Sequence, residues 1–220
     1  MWLLARVLLL LILVTAAPVA IYRVIDPPLT PLMLIRESVD GEPIHKAWMP
    51  LQRISPALVR AVVASEDERF CRHHGFDWVE MGNAWRSFLA GHRLRGASTI
   101  SMQTAKNAFL WPGRSAVRKG LEAYLTLLVE VIWPKQRIME VYLNVIEWGD
   151  GIYGAEAAAR SYFRKPAAAL TPHEAALLAA VLPNPRRLSV AQPSAFVEER
   201  AATIRDRMSN VAVPNPRSCP

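Results

Sequence analysis

The chain has 220 residues, enough for one domain with a sizeable core plus an appendage. Its 26 lysines and arginines against 19 acids leave a formal charge of +7, which points to an acidic partner: nucleic acid, anionic lipid or a phosphorylated substrate. The two cysteines, Cys71 and Cys219, exclude a disulfide framework and lack metal-ligand spacing; they read as free thiols, with a single bridge as the alternative.

In chain order, the first feature is apolar. The hydrophobic fraction of 52% is somewhat high, and the opening segment accounts for much of the excess. From Trp2 to Ile21 only Arg6 is charged, and this length approaches the ~20 residues a bilayer requires. Thr15-Ala16-Ala17 offers the small residues of a signal-peptide cleavage site. Against cleavage, the run continues through Val19-Ala20-Ile21, and Trp2 and Tyr22 stand where interfacial aromatics belong. Residues 1–25 are therefore expected to be a retained transmembrane anchor. Arg6 and Arg23 flank it almost evenly, so charge alone does not orient it.

Residues 26–47 read as a juxtamembrane linker, punctuated by Pro27, Pro28, Pro31 and Pro43, with a hairpin expected around Asp40-Gly41. Beyond it the pattern is helical almost to the end. Ser55 and Pro56 open a helix whose apolar face is Leu58, Val59, Val62 and Val63. Glu66-Asp67-Glu68 then place three carboxylates where a helix C-terminus favours cations. Asp77 with Glu80 opens a helix carrying the stripe Trp78, Met81, Trp85, Phe88 and Leu89. Ser98 or Thr99 caps a helix from Ile100 to about Phe109. Arg118 to Trp133 is hydrophobic nearly all round and is expected to be the buried central helix. Lys135 to Asn144 is amphipathic; Gly149, Gly151 and Gly154 form a loop; Ala155 to Phe163 is Ala-rich. Thr171-Pro172-His173-Glu174 starts a helix that runs through Leu182, and a last one spans about Ser194 to Met208. No alternating strand series or repeat is evident. The fold class is all-α, with a helical domain over residues 48–210 and a disordered tail over 211–220.

The chemistry concentrates in two places. Between Met81 and Leu121 there is no acidic residue, while Arg86, Arg93, Arg95, Lys106, Arg114, Arg118 and Lys119 are basic. Inside that segment Gly96-Ala97-Ser98-Thr99 opens a helix, and a small-residue turn at a helix N-terminus suits phosphate. A Walker loop is excluded because the Gly-Lys-Ser/Thr ending is missing, and no nucleic-acid motif is present. Glu122 lies one turn after Arg118, and the plain reading is an i,i+4 ion pair. A charge on so apolar a helix is costly without a partner, however. Two separated carboxylates and a diphosphate cradle suit glycosyl transfer: one takes a proton from a sugar hydroxyl, and cations stabilise the departing phosphate.

Five blocks, in order from about Trp48 to Arg187, carry a resemblance. They are Glu66-Asp67-x-x-Phe70-x-x-His73-x-Gly75, Gly96-Ala97-Ser98-Thr99-Ile100-x-x-Gln103-x-x-Lys106-Asn107, Arg118-Lys119-x-x-Glu122, Lys135-x-x-Ile138-x-Glu140-x-Tyr142-Leu143-Asn144 and Gly154-Ala155-x-x-Ala158-Ala159-x-x-Tyr162-Phe163-x-Lys165. The chain resembles the monofunctional peptidoglycan glycosyltransferases, relatives of the glycosyltransferase domain of class A penicillin-binding proteins. Ala97 stands where the family often has Gly, and Met102 where it often has Gln.

The resemblance implies a lysozyme-like, two-lobed helical fold with a cleft, and lipid II as substrate. It implies Glu66 as the general base on the acceptor's 4-hydroxyl and Glu122 as a second catalytic-site carboxylate that orients cations or a metal. Ser98, Thr99, Gln103, Lys106, Asn107, Arg114 and Arg118 would bind substrate. A divalent cation, Mg or Mn, has a place at the donor diphosphate, with no protein ligand assigned to it. The implied partners are lipid II, the growing glycan strand, the membrane, and division or elongation proteins, with no nucleic acid. The domain would be periplasmic on a single-pass anchor in the cytoplasmic membrane. His73 is expected to be a hydrogen-bonded structural residue, and Glu140 and Asn144 to fix helix contacts. Two rival readings remain at this level: a lysozyme-like glycan hydrolase, disfavoured because hydrolysis needs no diphosphate cradle, and a non-catalytic envelope scaffold.

Overall fold

A computed structural model describes residues 2–92, 96, 98–113, 115–214 and 219, and within the first helix the side chains at 3–5, 7–9, 11 and 12 lie outside that description. The chain is 62% helix and 3% strand, which makes helix packing the basis of the core. Ten α-helices are present among the described residues: α1 (Trp2–Tyr22), α2 (Pro31–Asp40), α3 (Pro56–Glu66), α4 (Trp78–Leu89), α5 (Ile100–Phe109), α6 (Ala116–Ile132), α7 (Lys135–Val145), α8 (Ala155–Phe163), α9 (Pro172–Val181) and α10 (Ala195–Arg207). Seven of them begin alike: Thr30, Ser55, Asp77, Thr99, Ser115, Thr171 and Ser194 each accept a hydrogen bond from a backbone N–H in the first turn of their own helix.

The interior is built on α3, α7 and α9. Helix α9 packs between α3 and α10, and α5 packs against both α6 and α7. Leu58, Val62 and Val63 of α3, Ile138, Val141 and Leu143 of α7, and Leu178 and Val181 of α9 are completely buried. Each such side chain contributes about 1.5–3 kcal/mol through removal from water. Helix α6 is not the buried central helix that its composition suggests. Its Leu125 and Val129 are buried, but Val117, Leu121, Leu127 and Val131 are exposed. Apolar residues all round a helix say only that water is disfavoured on each face, not that protein covers it.

Two further departures concern local structure. Residues 31–40, where a hairpin at Asp40-Gly41 was expected, form α2. Thr30 caps it, Pro31 occupies its first turn, and Gly41 ends it at φ +70° with its N–H on the Glu37 carbonyl. The glycine-rich stretch after α7 is not only loop. β2 (Glu147–Gly149) and β3 (Ile152–Tyr153) form an antiparallel hairpin, and β1 (His45–Lys46) pairs parallel with β3 in register His45 to Ile152. Strands this short carry no readable alternation.

The C-terminal half of α1 is docked on the domain. The Thr15 and Tyr124 hydroxyls are 2.8 Å apart, Trp133 Nε1 donates to the Val19 carbonyl (2.6 Å), and Arg137 Nε donates to the Tyr22 carbonyl (2.9 Å). Among the described residues no helix is long and apolar enough to cross a membrane. That statement leaves out the eight side chains of α1 that lie outside the description. Helix α4 buries none of its residues; the stripe of Trp78, Trp85, Phe88 and Leu89 faces outward.

The cysteines are not free. Cys71, just after α3, is bonded to Cys219, with 4.6 Å between their Cα atoms. Their distance in sequence concealed a proximity created by α10, which returns the chain to α3. Residues 215–218 and 220 of the tail expected to be disordered lie outside the described residues. The bridge closes a 148-residue separation, so in a chain-entropy view it restricts mainly the unfolded chain. Replacing Cys71 by Ser is expected to lower the unfolding free energy by about 2–5 kcal/mol in a denaturant titration. Two thiols titrating in the native, unreduced protein would contradict the bridge.

Candidate active site

The three carboxylates after α3 go three ways. Asp67 turns inward: His73 Nε2 lies 3.0 Å from both of its oxygens and the Ile100 N–H donates to it at 3.0 Å. Glu68 is exposed and pairs with Arg207 at 3.2 Å. Glu66 faces a cleft between α3, α5 and α10, lined by Ser65, Ser98, Gln103, Pro183 and Arg200. Its Oε1 accepts from the Ser65 hydroxyl (2.9 Å), its Oε2 accepts from Gln103 Nε2 (2.9 Å), and Arg200 Nη2 stands 4.0 Å away. The Glu66 side chain keeps 12% exposure, so the cleft reaches it.

The turn behind Glu66 is held from several sides. Gly75, at φ +92°, sits where an added Cβ would come within 2.9 Å of Thr126 Cγ2 and 3.2 Å of Glu130 Cγ, so only glycine fits. Thr99 caps α5, accepting from the Met102 N–H, and its hydroxyl donates to the Gly75 carbonyl at 2.6 Å. With its hydroxyl used twice, Thr99 serves the turn more than the cleft. Ser98 lines the cleft beside Glu66.

A second cleft of about 390 Å³ opens on the other side of Gln103, lined by Lys106, Asn107, Arg118, Tyr142 and Arg186 among others. Burial pushes the Lys106 amine below its ordinary value; Glu122 opposes that shift, while Arg118 and Lys119 add to it. Asn107 spends a donor on the Gln103 carbonyl (2.8 Å). Arg118, also buried, donates through Nη1 to Glu122 Oε2 at 2.9 Å, and Lys119 pairs with Glu122 Oε1. Glu122 is 2% exposed and enclosed by these two cations, so it braces them instead of facing substrate. Arg114, Arg93 and Arg95 lie outside the described residues.

Both oxygens of Glu122 are taken, one by Arg118 and the other by Lys119, while Glu147 is the carboxylate that lines the Lys106 cleft. Of the two clusters with metal-like spacing among the described residues, one shares Glu147 with the Lys106 cleft. In Asp67, His73 and Asp77, the first two bond each other and Asp77 pairs with Arg69 at 3.0 Å. In Glu42, Glu147 and Asp150, the Arg186 guanidinium already binds Glu42 and Asp150.

Several lining residues went unread in the sequence. Arg36 and Leu32 of α2 and Arg186 after α9 line the Lys106 cleft, and Arg200 of α10 approaches Glu66. Thr30-Pro31 at one end and Gly41 at the other were the available signal for α2. Arg200 had no signal, since its role depends on how α10 crosses α3.

The transglycosylase family model matches residues 34–209. A biosynthetic peptidoglycan transglycosylase of Rhodospirillum centenum is 60% identical over 207 residues, covering 94% of this chain and 90% of that protein. Proteins of the same name from Caulobacter vibrioides and Bdellovibrio bacteriovorus are each 53% identical, covering 89% and 87% of this chain and 86% and 78% of their own lengths. With four-fifths of its length in one family model and relatives matched nearly end to end, the chain belongs to the transglycosylase family.

Proposed function

We propose that the protein is a peptidoglycan glycosyltransferase that polymerises lipid II into β-1,4-linked glycan strands during cell wall synthesis. The observation that carries this reading is one carboxylate, Glu66, joined through Gln103 to a cleft whose charged lining includes Lys106 and Arg118. Glu66 takes the proton from the 4-hydroxyl of the acceptor GlcNAc. That oxygen attacks C1 of the donor MurNAc from the face opposite the diphosphate, the C1–O bond to phosphate breaks, and polyprenyl diphosphate leaves. Lys106 and Arg118 offset the charge that grows on the leaving group, and Glu122 fixes Arg118. A half-buried lysine with a lowered amine pKa regains proton affinity when a diphosphate arrives, so binding and protonation reinforce each other.

The finer architecture is read as a lysozyme-like fold of two lobes, with α1 as a single-pass anchor and the domain on the periplasmic face. Three features support that placement. At 21 residues α1 is about 31 Å long, near the thickness of a bilayer core. Its contacts with α6 advance together, Thr15 with Tyr124 and Val19 with Trp133, so the two helices run in the same general sense. The exposed Val117 and Leu121 at the start of α6 then lie toward the apolar part of α1, beside the cations that would receive a lipid-linked diphosphate. The outward Trp and Phe of α4 suit the same interface. Glycan strands and proteins of division or elongation are the partners this location implies.

Purified protein given lipid II is expected to release polyprenyl diphosphate and build polymer, while leaving finished glycan strands intact. Shortening of strands without polymer would instead establish a hydrolase. Glu66→Gln should cut the polymerisation rate by about 10²–10⁴-fold with the melting curve unchanged. Lys106→Ala should raise KM for the lipid-linked donor about tenfold or more, the scale of a lost charge-assisted hydrogen bond. An unaltered KM would remove Lys106 from the diphosphate site.

A further inference from the structure

Tyr142 lies on α7, 1% exposed, inside a block of sequence whose other polar members are structural. Glu140 Oε2 accepts from the Leu51 N–H (2.8 Å) and Asn144 both accepts from and donates to the Met49 backbone. The Tyr142 hydroxyl does something different. It donates to Gln103 Oε1 at 3.2 Å, and the Nε2 of the same amide donates to Glu66 Oε2 at 2.9 Å. A buried phenol generally seeks a partner, but here that need does not explain the choice. The Tyr162 hydroxyl donates to a backbone carbonyl, that of Trp148 (3.2 Å), and the buried Tyr153 hydroxyl has no hydrogen-bond partner among the described residues.

The polarity of the chain of bonds is fixed. An ionised carboxylate accepts only, so the amide must turn its NH2 to Glu66 and its oxygen to Tyr142, which must then donate. Turned over, the amide would aim its oxygen at the carboxylate and withdraw from the phenol proton the acceptor that Gln103 Oε1 provides. Burial pushes the phenol well above its ordinary value, and the negative charges of Glu66 and Asp67 add to that, so the donor proton is retained at working pH.

We propose that Tyr142 is a positioning residue for the acid–base step: by holding the amide oxygen of Gln103, it keeps the amide NH2 on Glu66 and so favours the carboxylate form that accepts the acceptor's proton. This rests on the reading of Glu66 as general base. Among the described residues, the other charged and titratable groups around Glu66 are Asp67, Glu68 and Arg69 beside it, Asp77 and Glu80 at the start of α4, Lys106 of α5, and Arg200 and Arg207 of α10; the Tyr142 hydroxyl bonds Gln103 and none of these, so removing it leaves their side-chain partners in place.

The test is the pH–rate profile of lipid II polymerisation by the full chain. In Tyr142→Phe the acidic limb is expected to move upward by about half to one pH unit, with KM for lipid II and the melting temperature close to wild type. Gln103→Met, which keeps shape but can neither donate nor accept strongly, should shift the limb at least as far. The double variant should shift no further than Gln103→Met alone, because Tyr142 acts through that amide. A limb in Tyr142→Phe that superposes on wild type, a uniform loss at every pH, or an added shift in the double variant overturns the proposal. Should Tyr142→Phe not fold, an unshifted limb in Gln103→Met overturns it equally. Glu66→Gln runs in parallel: activity retained there removes the base reading itself, whereas activity lost there with an unmoved limb removes only the role of Tyr142.

Discussion

The interaction on which the site depends is the buried carboxylate of Asp67. It receives His73 from the following turn and the Ile100 N–H from the first turn of α5, joining the end of one helix to the start of another. Side-chain exposure there is 3% for Asp67 and 5% for His73, so neither partner has water as a substitute. Removing the carboxylate would strand both donors at about 1–3 kcal/mol each. Because Asp67 immediately follows Glu66, this lock sets where Glu66 points and how far it stands from α5. Lys135 strengthens the same region, its ammonium 4.4 Å from the centre of the Phe70 ring and 2.8 Å from Glu130. Burial lowers the pKa of that lysine, and Glu130 opposes the shift, as expected for a cation retained by its partner.

The conflict of three acids at a helix C-terminus is thereby resolved by division. Asp67 is consumed in the scaffold, Glu68 meets Arg207 in solvent, and Glu66 faces the cleft that it shares with Gln103 and Arg200. The basic side is divided in the same manner. Arg118 and Glu122 do form the ordinary i,i+4 pair, but in a place where both are buried, so the pair orders a cation more than it adds stability. With Lys119 on the other oxygen, this group of three retains one net positive charge, and Lys106 contributes another. The diphosphate of the proposed substrate would meet a charge that is already oriented.

The helical order was legible because caps and apolar periods are local. Thr171-Pro172 with Glu174, for example, forms the full capping box at the start of α9. What escaped was non-local or ambiguous. The α6 pattern could not distinguish a face against protein from a face against another apolar medium, and Val131 at 84% exposure is the consequence. The Cys71–Cys219 bridge depends on the return of α10, and Arg36 reaches the cleft only because α2 packs on α5. Glu122 was correctly singled out as a charge on an apolar helix. Its enclosure by Arg118 and Lys119 required three dimensions.

Placing the working groups on helices has a further consequence. Thr99, Gln103 and Lys106 stand at the start, on the next turn and on the one after along α5, so one rigid element sets the spacing between the Gly75 turn, Glu66 and the Lys106 cleft. Gln103 and Lys106 are separated by a rise of about 4.5 Å, and helix α6, which carries Arg118, packs directly on α5. Gln103 lines both clefts and touches Glu66, so a substrate spanning the two must pass its amide. Under the proposed function, Glu66 and the cations Lys106 and Arg118 are therefore held relative to one another by packed helices. The remaining freedom belongs to side-chain amides and hydroxyls, and the bond from Tyr142 removes it where it matters most, next to the carboxylate.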